Sequence, residues 1–182
     1  MSDEIKGKRF LQLVDEAFED LELWYPVIRM REAGAEVILA GKESNRTFHG
    51  KHGLPADCDV SFSEVNPSEF DGVLIPGGWA PDKLRRYAEV LDIVRHMDSE
   101  GKVIGQICHA GWVLASADVI RNRKLTSVPA IRDDLINAGA EWVDEDVVTD
   151  GMMVSAQGPK DLPKYMRELI RVSSEKKSHS MV

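Results

Sequence analysis

The sequence is short of cysteine and of long apolar runs. Two of its 182 residues are cysteine, Cys58 and Cys108, so at most one disulfide is possible, and a reducing compartment favours separate roles for the two thiols. No apolar run approaches the ~20 residues that cross a bilayer. The first ten residues, MSDEIKGKRF, lack the apolar core of a secretory signal. We therefore expect a cytoplasmic protein that does not enter a membrane.

Positive charge is also scarce. The chain has 23 Lys and Arg against 31 Asp and Glu, a net charge of −8, which argues against a general binder of nucleic acid or anionic membranes. It has no glycine-rich phosphate loop and no glycine pair with dinucleotide-binding spacing, so no cofactor is expected. His49, His52 and Cys58 lack a recognised zinc spacing, so we expect no metal.

Apolar residues make up 43% of the chain, which suits one globular domain with a single core. We expect that domain to span residues 1–172, followed by a polar and flexible tail over residues 173–182.

Strand and helix patterns alternate along this domain. Apolar runs predict strands over residues 9–14, 36–40, 72–76 and 102–107. Helical spacing follows in Leu21, Trp24, Val27 and Ile28, then in Leu84, Tyr87, Ala88, Leu91 and Val94, and at the end in Leu162, Tyr165, Met166, Leu169 and Ile170. This alternation predicts a mostly parallel sheet with helices on both faces. We expect residues 49–60 to form an antiparallel excursion, and residues 141–155 a hairpin that turns at Asp150 and Gly151.

Ligands of parallel sheets bind beyond the carboxyl ends of the strands, where three loops are expected to meet. These loops span residues 15–20, 77–82 and 108–111. The third is the most informative, because the apolar run before Cys108 and His109 turns at once into a helix pattern. A cysteine in a sharp strand-to-helix turn faces a cleft, and the dipole of the following helix should make it acidic and nucleophilic. The alternative is a small core residue.

Five motifs occur together in one order: FED at residues 18–20, PGGWAPD at 76–82, ICHAGW at 107–112, DDLINAGAEWVDEDVVTDG at 133–151 and GPKDLP at 158–163. With them the chain resembles the ThiJ/PfpI family from about residue 8 to residue 172. The resemblance implies a flavodoxin-like three-layer α/β sandwich of the class I glutamine amidotransferase-like superfamily.

The resemblance also implies roles for individual residues. Cys108 matches the nucleophile, with His109 beside it, and Glu19 matches the carboxylate that contacts the thiol. The alternative for Glu19 is an exposed acid at a helix start. Backbone N–H groups of Gly78 and His109 match an oxyanion hole, for which a residue without a Cβ makes chemical sense.

In PfpI-type members a carboxylate from a neighbouring subunit completes the Cys-His-acid triad, and the matching residue is Asp82. Many relatives carry Glu there, so Asp82 is shorter by one methylene. The alternative is that Asp82 caps a helix that begins near Lys83. The first interpretation requires at least a homodimer. Trp79 and Trp112 are expected to wall the cleft, while Trp24 and Trp142 suit core packing. Relatives often carry Arg at the position of Trp79, so the preferred substrate is expected to differ.

The resemblance implies attack of a thiolate on a carbonyl. The family is associated with glutathione-independent conversion of methylglyoxal to lactate, repair of glyoxal-modified proteins or nucleotides, and intracellular peptidase activity. A narrow cleft under Trp79 would admit small aldehydes more readily than a folded polypeptide, so we rank glyoxalase or deglycase chemistry first and peptidase activity second. A non-enzymatic alternative is a redox sensor in which Cys108 is oxidised to a sulfinate.

Overall fold

Strands and helices alternate along most of the chain in the computed structural model, which describes residues 3–175. The strands are β1 (Arg9–Leu13), β2 (Glu36–Gly41), β3 (Thr47–His49), β4 (Pro55–Asp57), β5 (Val60–Ser61), β6 (Gly72–Ile75), β7 (Val103–Ile107), β8 (Lys124–Leu125), β9 (Glu141–Trp142), β10 (Val147–Asp150) and β11 (Met153–Ala156). The helices are α1 (Asp20–Glu32), α2 (Ala80–Leu84), α3 (Ala88–Ser99), α4 (Gly111–Ala117), α5 (Arg132–Asn137) and α6 (Leu162–Ser174).

Seven strands form the central sheet in the order β10-β11-β7-β6-β1-β2-β5. Its neighbours run parallel, except that β10 is antiparallel to β11. Along the chain, β2 is added on one side of β1, whereas β7 and then β11 are added on the opposite side, next to β6. Because such crossovers are right-handed, these two directions place α1 and α3 on opposite faces. The flavodoxin-like α/β prediction is confirmed.

The middle of the sheet is covered on both sides. Every residue of β6 and β7 is buried, as expected for parallel strands between two helical layers. On one side α6 packs against α1, and on the other α3 packs against α4. The order of the strands reverses between β1 and β6, which are neighbours. A crevice therefore opens beyond their carboxyl ends.

Two predicted helical faces differ from the structure. In α1 the side chains of Leu21 and Ile28 are 54% and 62% exposed, while Leu23, Val27 and Met30 are buried. The apolar stripe predicted from Leu84 to Val94 is divided between α2 and α3, because the chain turns at residues 85–87. The buried face of α3 consists of Val90, Ile93, Val94 and Met97.

The remaining elements largely follow their predicted patterns. The excursion is confirmed by the antiparallel pair β3 and β4, and the hairpin by β10 and β11, in which Asp150 pairs with Met153. However, β9 at the start of the predicted hairpin instead pairs in parallel with β8. The closing helix α6 continues into the first two residues of the predicted tail, and residues 176–182 of that tail lie outside the described residues. Within residues 3–175, no helix combines the length and apolar character needed to span a bilayer.

Candidate active site

The three predicted loops meet at the carboxyl edge of the sheet, beyond β1, β6 and β7. The loops after β1 and β6 are joined by backbone hydrogen bonds, from Trp79 N to Ala17 O at 2.8 Å and from Glu19 N to Gly77 O at 3.1 Å. Phe18 and Gly78 also form an isolated antiparallel bridge. The third loop begins with Cys108 directly after β7. This framework holds the backbone around Cys108 in place from two neighbouring loops.

Cys108 occupies the strained turn that the sequence predicts. Its φ is +61°, a left-handed conformation that is uncommon outside glycine. A short 3₁₀ turn over Cys108–Ala110 then leads into α4. The side chain is partly buried, and its Sγ lies 3.3 Å from Nδ1 of His109. The strand-turn-helix geometry is that of a nucleophile elbow.

Gly77 and Gly78 leave no room for a side chain beside this elbow. A Cβ on Gly77 would lie 2.2 Å from Glu22 Oε2 and 2.6 Å from Cys108 Cβ. Gly78 has a φ of +73°, and a Cβ there would lie 2.4 Å from the backbone N of Glu19. The paired glycines are therefore required for close approach of backbone to the nucleophile, as well as for the turn itself.

The carboxyl beside the thiol belongs to Glu22, and the expectation that Glu19 contacts Cys108 is corrected. Glu19 caps α1, accepting a hydrogen bond at 2.9 Å from the backbone N–H of Glu22. Glu22 lies one helical turn further on and is 1% exposed. Its Oε2 accepts a hydrogen bond from Gly77 N at 2.9 Å, and its carboxyl interacts with the Cys108 thiol. Glu19 is thus neither the carboxylate that contacts the thiol nor an exposed acid at a helix start, but a buried helix cap.

Burial and, second to it, the negative charge of Glu19 raise the pKa of Glu22 to about 8. The Gly77 N–H, the Lys51 ammonium and the Cys108 thiol oppose that shift. At neutral pH the Glu22 carboxyl therefore carries a proton. It is in a state that can donate a hydrogen bond to sulfur.

Burial also raises the pKa of Cys108, to about 12, with a contribution from the charge of ionised Glu22. The backbone N–H groups of His109 and Gly78 and the ammonium of Lys51 act in the opposite direction, favouring the thiolate. Burial thus opposes the acidic thiol expected from the sequence while these three groups favour it, and the acidity of Cys108 stays a prediction.

The two N–H groups that act on the sulfur are those expected to form the oxyanion hole. A substrate oxygen bound near Cys108 Sγ would meet the same donors, Gly78 N and His109 N. Their role in holding an oxyanion remains a prediction.

His109 is poised to accept a proton. Burial lowers the pKa of its imidazole, and the positive charge of Lys51 lowers it further. The ring is therefore neutral at pH 7, with Nδ1 close to the Cys108 sulfur. A neutral imidazole in this position is suited to act as a general base toward the thiol.

Asp82 is not a helix cap. α2 begins at Ala80 with Trp79 at the N-cap position, so Asp82 is the third residue of the helix. Its exposed carboxylate forms an ion pair with Arg86 at 3.3 Å. This overturns the capping alternative, while the reach of Asp82 to His109 of a second subunit remains a prediction.

The loop that follows β3 brings Lys51 and His52 to the site. Asp20, which is buried, accepts hydrogen bonds from the backbone N–H groups of His52 and Leu54 at 2.9 and 2.8 Å. Lys51 N donates to Phe18 O, and His52 Nε2 lies 4.0 Å from Glu19 Oε1. No cluster of three potential metal ligands forms within residues 3–175. His52 is thus held beside the acidic end of α1, while Cys58 donates to the carbonyl of Val60.

Trp79 and Trp112 flank His109, but Trp112 also packs against the core, so the predicted division into a cleft pair and a packing pair holds only in part. The ring centroids of Trp79 and Trp112 lie 5.4 and 5.1 Å from that of His109. Trp24 and Trp142 are partly buried against the core.

Glu22 is the functional residue that the sequence analysis missed. The available signal was an acid within α1 on the side of the helix that also carries the buried residues Leu23, Pro26 and Val27. Buried carboxyl groups are rare unless they have a partner. A charged residue on the buried face of an otherwise amphipathic helix therefore indicates a site, provided that the buried face is identified correctly.

Comparison with known proteins shows which family this chain resembles. The sequence profile of the DJ-1/PfpI family matches residues 8–172. Deglycase PH1704 of Pyrococcus horikoshii is 48% identical over 164 residues, which cover 90% of this chain and 98% of the relative. Protein/nucleic acid deglycase 2 of Escherichia coli is 42% identical over 168 residues, covering 91% and 98%. A solved two-domain protein from Anabaena variabilis, with DJ-1/ThiJ/PfpI-like and ferritin-like domains, superposes with a TM-score of 0.90 at 32% identity, covering 96% of this chain and 52% of that one.

The raised pKa of Glu22 predicts a pH-dependent stability. Its folded-state pKa of about 8 exceeds the ordinary value of 4.5, so between these pH values the folded state holds a proton that the unfolded chain has lost. The contribution of Glu22 to the free energy of unfolding must then fall as pH rises through this window, by up to about 1.4 kcal/mol per pH unit. In Glu22→Gln this contribution disappears. Urea unfolding at several pH values from 5 to 8 should give a flatter profile for the variant than for wild type.

Glu19→Gln serves as the matched control for that experiment. It removes the charge that helps to raise the pKa of Glu22 but keeps the Glu22 carboxyl. The fall in stability should therefore persist, but it should end at a lower pH than in wild type. Parallel profiles for wild type and Glu22→Gln would show that the Glu22 carboxyl ionises normally.

The environments of the two cysteines predict selective alkylation. Cys58 is 3% exposed, its Sγ donates to Val60 O at 2.9 Å, and burial raises its pKa. Cys108 is more accessible and has His109 as a base and two N–H groups that favour its anion. Limiting iodoacetamide at neutral pH should therefore label Cys108 first, as mapped by mass spectrometry of peptides. Labelling of Cys58 should require urea, and equal labelling in the native protein would contradict this assignment.

Proposed function

The chain belongs to the DJ-1/PfpI family, and from that premise we propose that it is a cysteine-dependent enzyme acting on reactive carbonyls, of the glyoxalase and protein deglycase type. Curated relatives at 42% and 48% identity carry the name deglycase. The observation that supports this proposal most directly is the set of groups around the Cys108 sulfur. They are the Glu22 carboxyl, the backbone N–H groups of Gly78 and His109, and the His109 Nδ1, which lies 3.3 Å from the sulfur.

These groups supply what carbonyl addition requires. His109 takes the proton of the Cys108 thiol, and the sulfur attacks the aldehyde carbon to form a hemithioacetal. The N–H groups of Gly78 and His109 stabilise the oxyanion that develops on the former carbonyl oxygen. The protonated Glu22 carboxyl is a hydrogen-bond donor at this stage. No group from outside the chain is needed for the addition.

For methylglyoxal the hemithioacetal can proceed to lactate without an external oxidant. A proton leaves the carbon bonded to sulfur and another is added to the neighbouring carbonyl carbon, so the first carbon is oxidised to a thioester while the second is reduced to an alcohol. Water then hydrolyses the thioester and frees Cys108. The net reaction is methylglyoxal plus water to lactic acid. His109 and Glu22 are the groups placed to move these protons.

A hemithioacetal or aminocarbinol on protein first breaks down to the free thiol or amine and the aldehyde, and the aldehyde then undergoes the same addition, which would give the deglycase activity. Trp79 stands beside His109 with 58% of its surface exposed. We expect its ring to narrow the approach to the sulfur and so to favour small carbonyls and side-chain adducts over a polypeptide. A PfpI-like peptidase remains the alternative, and hydrolysis of unfolded casein in parallel with methylglyoxal turnover distinguishes the two.

A redox-sensing role is supported by the same donors. A sulfinate on Cys108 would place its oxygens toward the N–H groups of Gly78 and His109, with Glu22 able to donate when protonated. Titration with peroxide, followed by the intact mass of the protein, tests this role. Addition of two oxygens to Cys108 at low excess of peroxide, with no carbonyl turnover, would favour the sensor over the enzyme.

We place this activity in the cytoplasm and in a homodimer or larger homo-oligomer. The exposed carboxylate of Asp82, whose one partner among the described ion pairs is Arg86 in the turn after α2, is available to His109 of a second subunit. An acid at that position would fix the tautomer of the imidazole.

Replacement of Cys108 by Ser should abolish lactate formation from methylglyoxal in the absence of glutathione. The hydroxyl is a far weaker nucleophile at neutral pH, and the two side chains differ little in volume, so the fold should be retained. Turnover is measured by lactate release, and the fold by urea unfolding. Cys58→Ser is the control and should keep wild-type turnover, whereas lactate formation by Cys108→Ser would assign the chemistry to another group.

Asp82→Asn should reduce activity, and mixing it with Cys108→Ser should restore part of that activity. After subunit exchange, a mixed dimer contains one site with both wild-type residues, so about a quarter of wild-type site density is expected for equal mixing of twofold dimers. Arg86→Gln is the matched control, since it breaks the same ion pair and keeps the acid. Full activity of Asp82→Asn alone would show that a single chain holds the complete catalytic unit.

A further inference from the structure

The His109 imidazole lies between two indole rings. Its centroid is 5.4 Å from that of Trp79, with 37° between the ring planes, and 5.1 Å from that of Trp112, with 57° between the planes. Trp79 belongs to the loop after β6, and Trp112 to the first turn of α4. Both separations lie within the ~6 Å over which an aromatic face attracts a cation.

Trp112 is held firmly in this position. Its Nε1 donates a hydrogen bond to Asp134 Oδ2 of α5 at 2.8 Å. On its ring, the guanidinium of Arg85 lies 5.5 Å from the centroid, and Arg85 is itself fixed by a 2.9 Å hydrogen bond to Ser116 Oγ. Trp79 is fixed through its backbone, with its ring more exposed. Trp112 is therefore the rigid member of the pair.

Within residues 3–175, the one hydrogen-bonding neighbour of the His109 ring is the Cys108 sulfur, and no carboxylate of this part of the chain lies within ion-pair distance of the ring. Other charges act from further away. Lys51 disfavours a positive imidazole, the Glu22 carboxyl interacts with the Cys108 thiol, and Arg85 and Asp134 contact Trp112. The indole rings are thus its nearest favourable surroundings.

We propose that Trp79 and Trp112 are positioning residues that clamp the His109 ring beside Cys108 and stabilise its protonated form when it takes the thiol proton. In that step the S–H bond breaks and an N–H bond forms at Nδ1, giving a thiolate and an imidazolium with no change in total charge. The inference rests on the proposed function, in which His109 is the base. It assigns to two aromatic faces part of the work that an acid on histidine performs in other triads.

The decisive variants are Trp112→Leu and Trp112→Phe. Leucine removes the aromatic face, so the pKa of His109 should fall by about one unit, a tenfold loss of imidazolium at a given pH, while phenylalanine should retain much of the effect. The pKa is read from NMR titration of the His109 Cε1 proton, assigned with His109→Gln. With methylglyoxal, Trp112→Leu should lower kcat about tenfold and change KM less than twofold. Trp24→Leu is the control and should leave both quantities unchanged.

Asp134 provides a second route to the same answer if Trp112→Leu unfolds. Asp134→Ala releases the indole N–H, whereas Asp134→Asn keeps an acceptor and removes only the charge. A clamp predicts a lower His109 pKa in Asp134→Ala than in Asp134→Asn. Equal values in these two variants would count against it.

The proposal is overturned if Trp112→Leu and the double variant Trp79→Leu, Trp112→Leu are folded and titrate His109 as wild type does. It is also overturned if Asp82→Asn alone lowers the His109 pKa by the full amount expected for Trp112→Leu, because the acid of a second subunit would then be the stabilising group. The NMR titration does not depend on turnover. Absence of methylglyoxal turnover in wild type would therefore reject the proposed function and leave the test of the clamp intact.

Discussion

The contact between the Cys108 sulfur and the buried Glu22 carboxyl constrains the rest of the site. Gly77 donates to that carboxyl and has no space for a Cβ between it and the cysteine. Glu19 fixes the first turn of α1 by capping it, which sets where Glu22 projects. The loops after β1 and β6 are then joined by backbone hydrogen bonds around the same point. A change in the position of α1 would therefore displace Cys108 together with the backbone N–H groups of Gly78 and His109.

This arrangement is destabilising in two respects. Cys108 adopts a φ of +61°, and Glu22 is a carboxyl withdrawn from water. Proteins depart from favourable local chemistry chiefly where function requires it. The cost at Glu22 is limited by protonation, since its raised pKa allows it to be buried without charge at neutral pH. The surrounding sheet, whose central strands are buried on both faces, supplies the rigidity that maintains this local strain.

The sequence was sufficient to predict the sheet, the elbow and the meeting of three loops, because apolar runs and glycine pairs report directly on local conformation. It was insufficient for Glu22, because apolar spacing suggested a buried face through Leu21 and Ile28, which are exposed. The first turn of α1 faces the site loops, where Gly77 satisfies a carboxyl. Asp82 was ambiguous because an acid in the first turn suits a helix start whether or not it is the cap. The spatial relation of Trp79 and Trp112 to His109 depends on β6 and β7 being neighbours, which only the assembled sheet reveals.

Burial favours the uncharged forms of the three groups around the sulfur, and this has a consequence for the proposed chemistry. It raises the pKa of the Glu22 carboxyl and of the Cys108 thiol and lowers that of the His109 imidazole, while Lys51 and Glu19 act as charges nearby. In the proposed mechanism new charge forms when the proton moves from sulfur to imidazole, and N–H donors and indole rings lie beside these two groups. Reactivity then relies on stabilisation of the charges formed during the reaction.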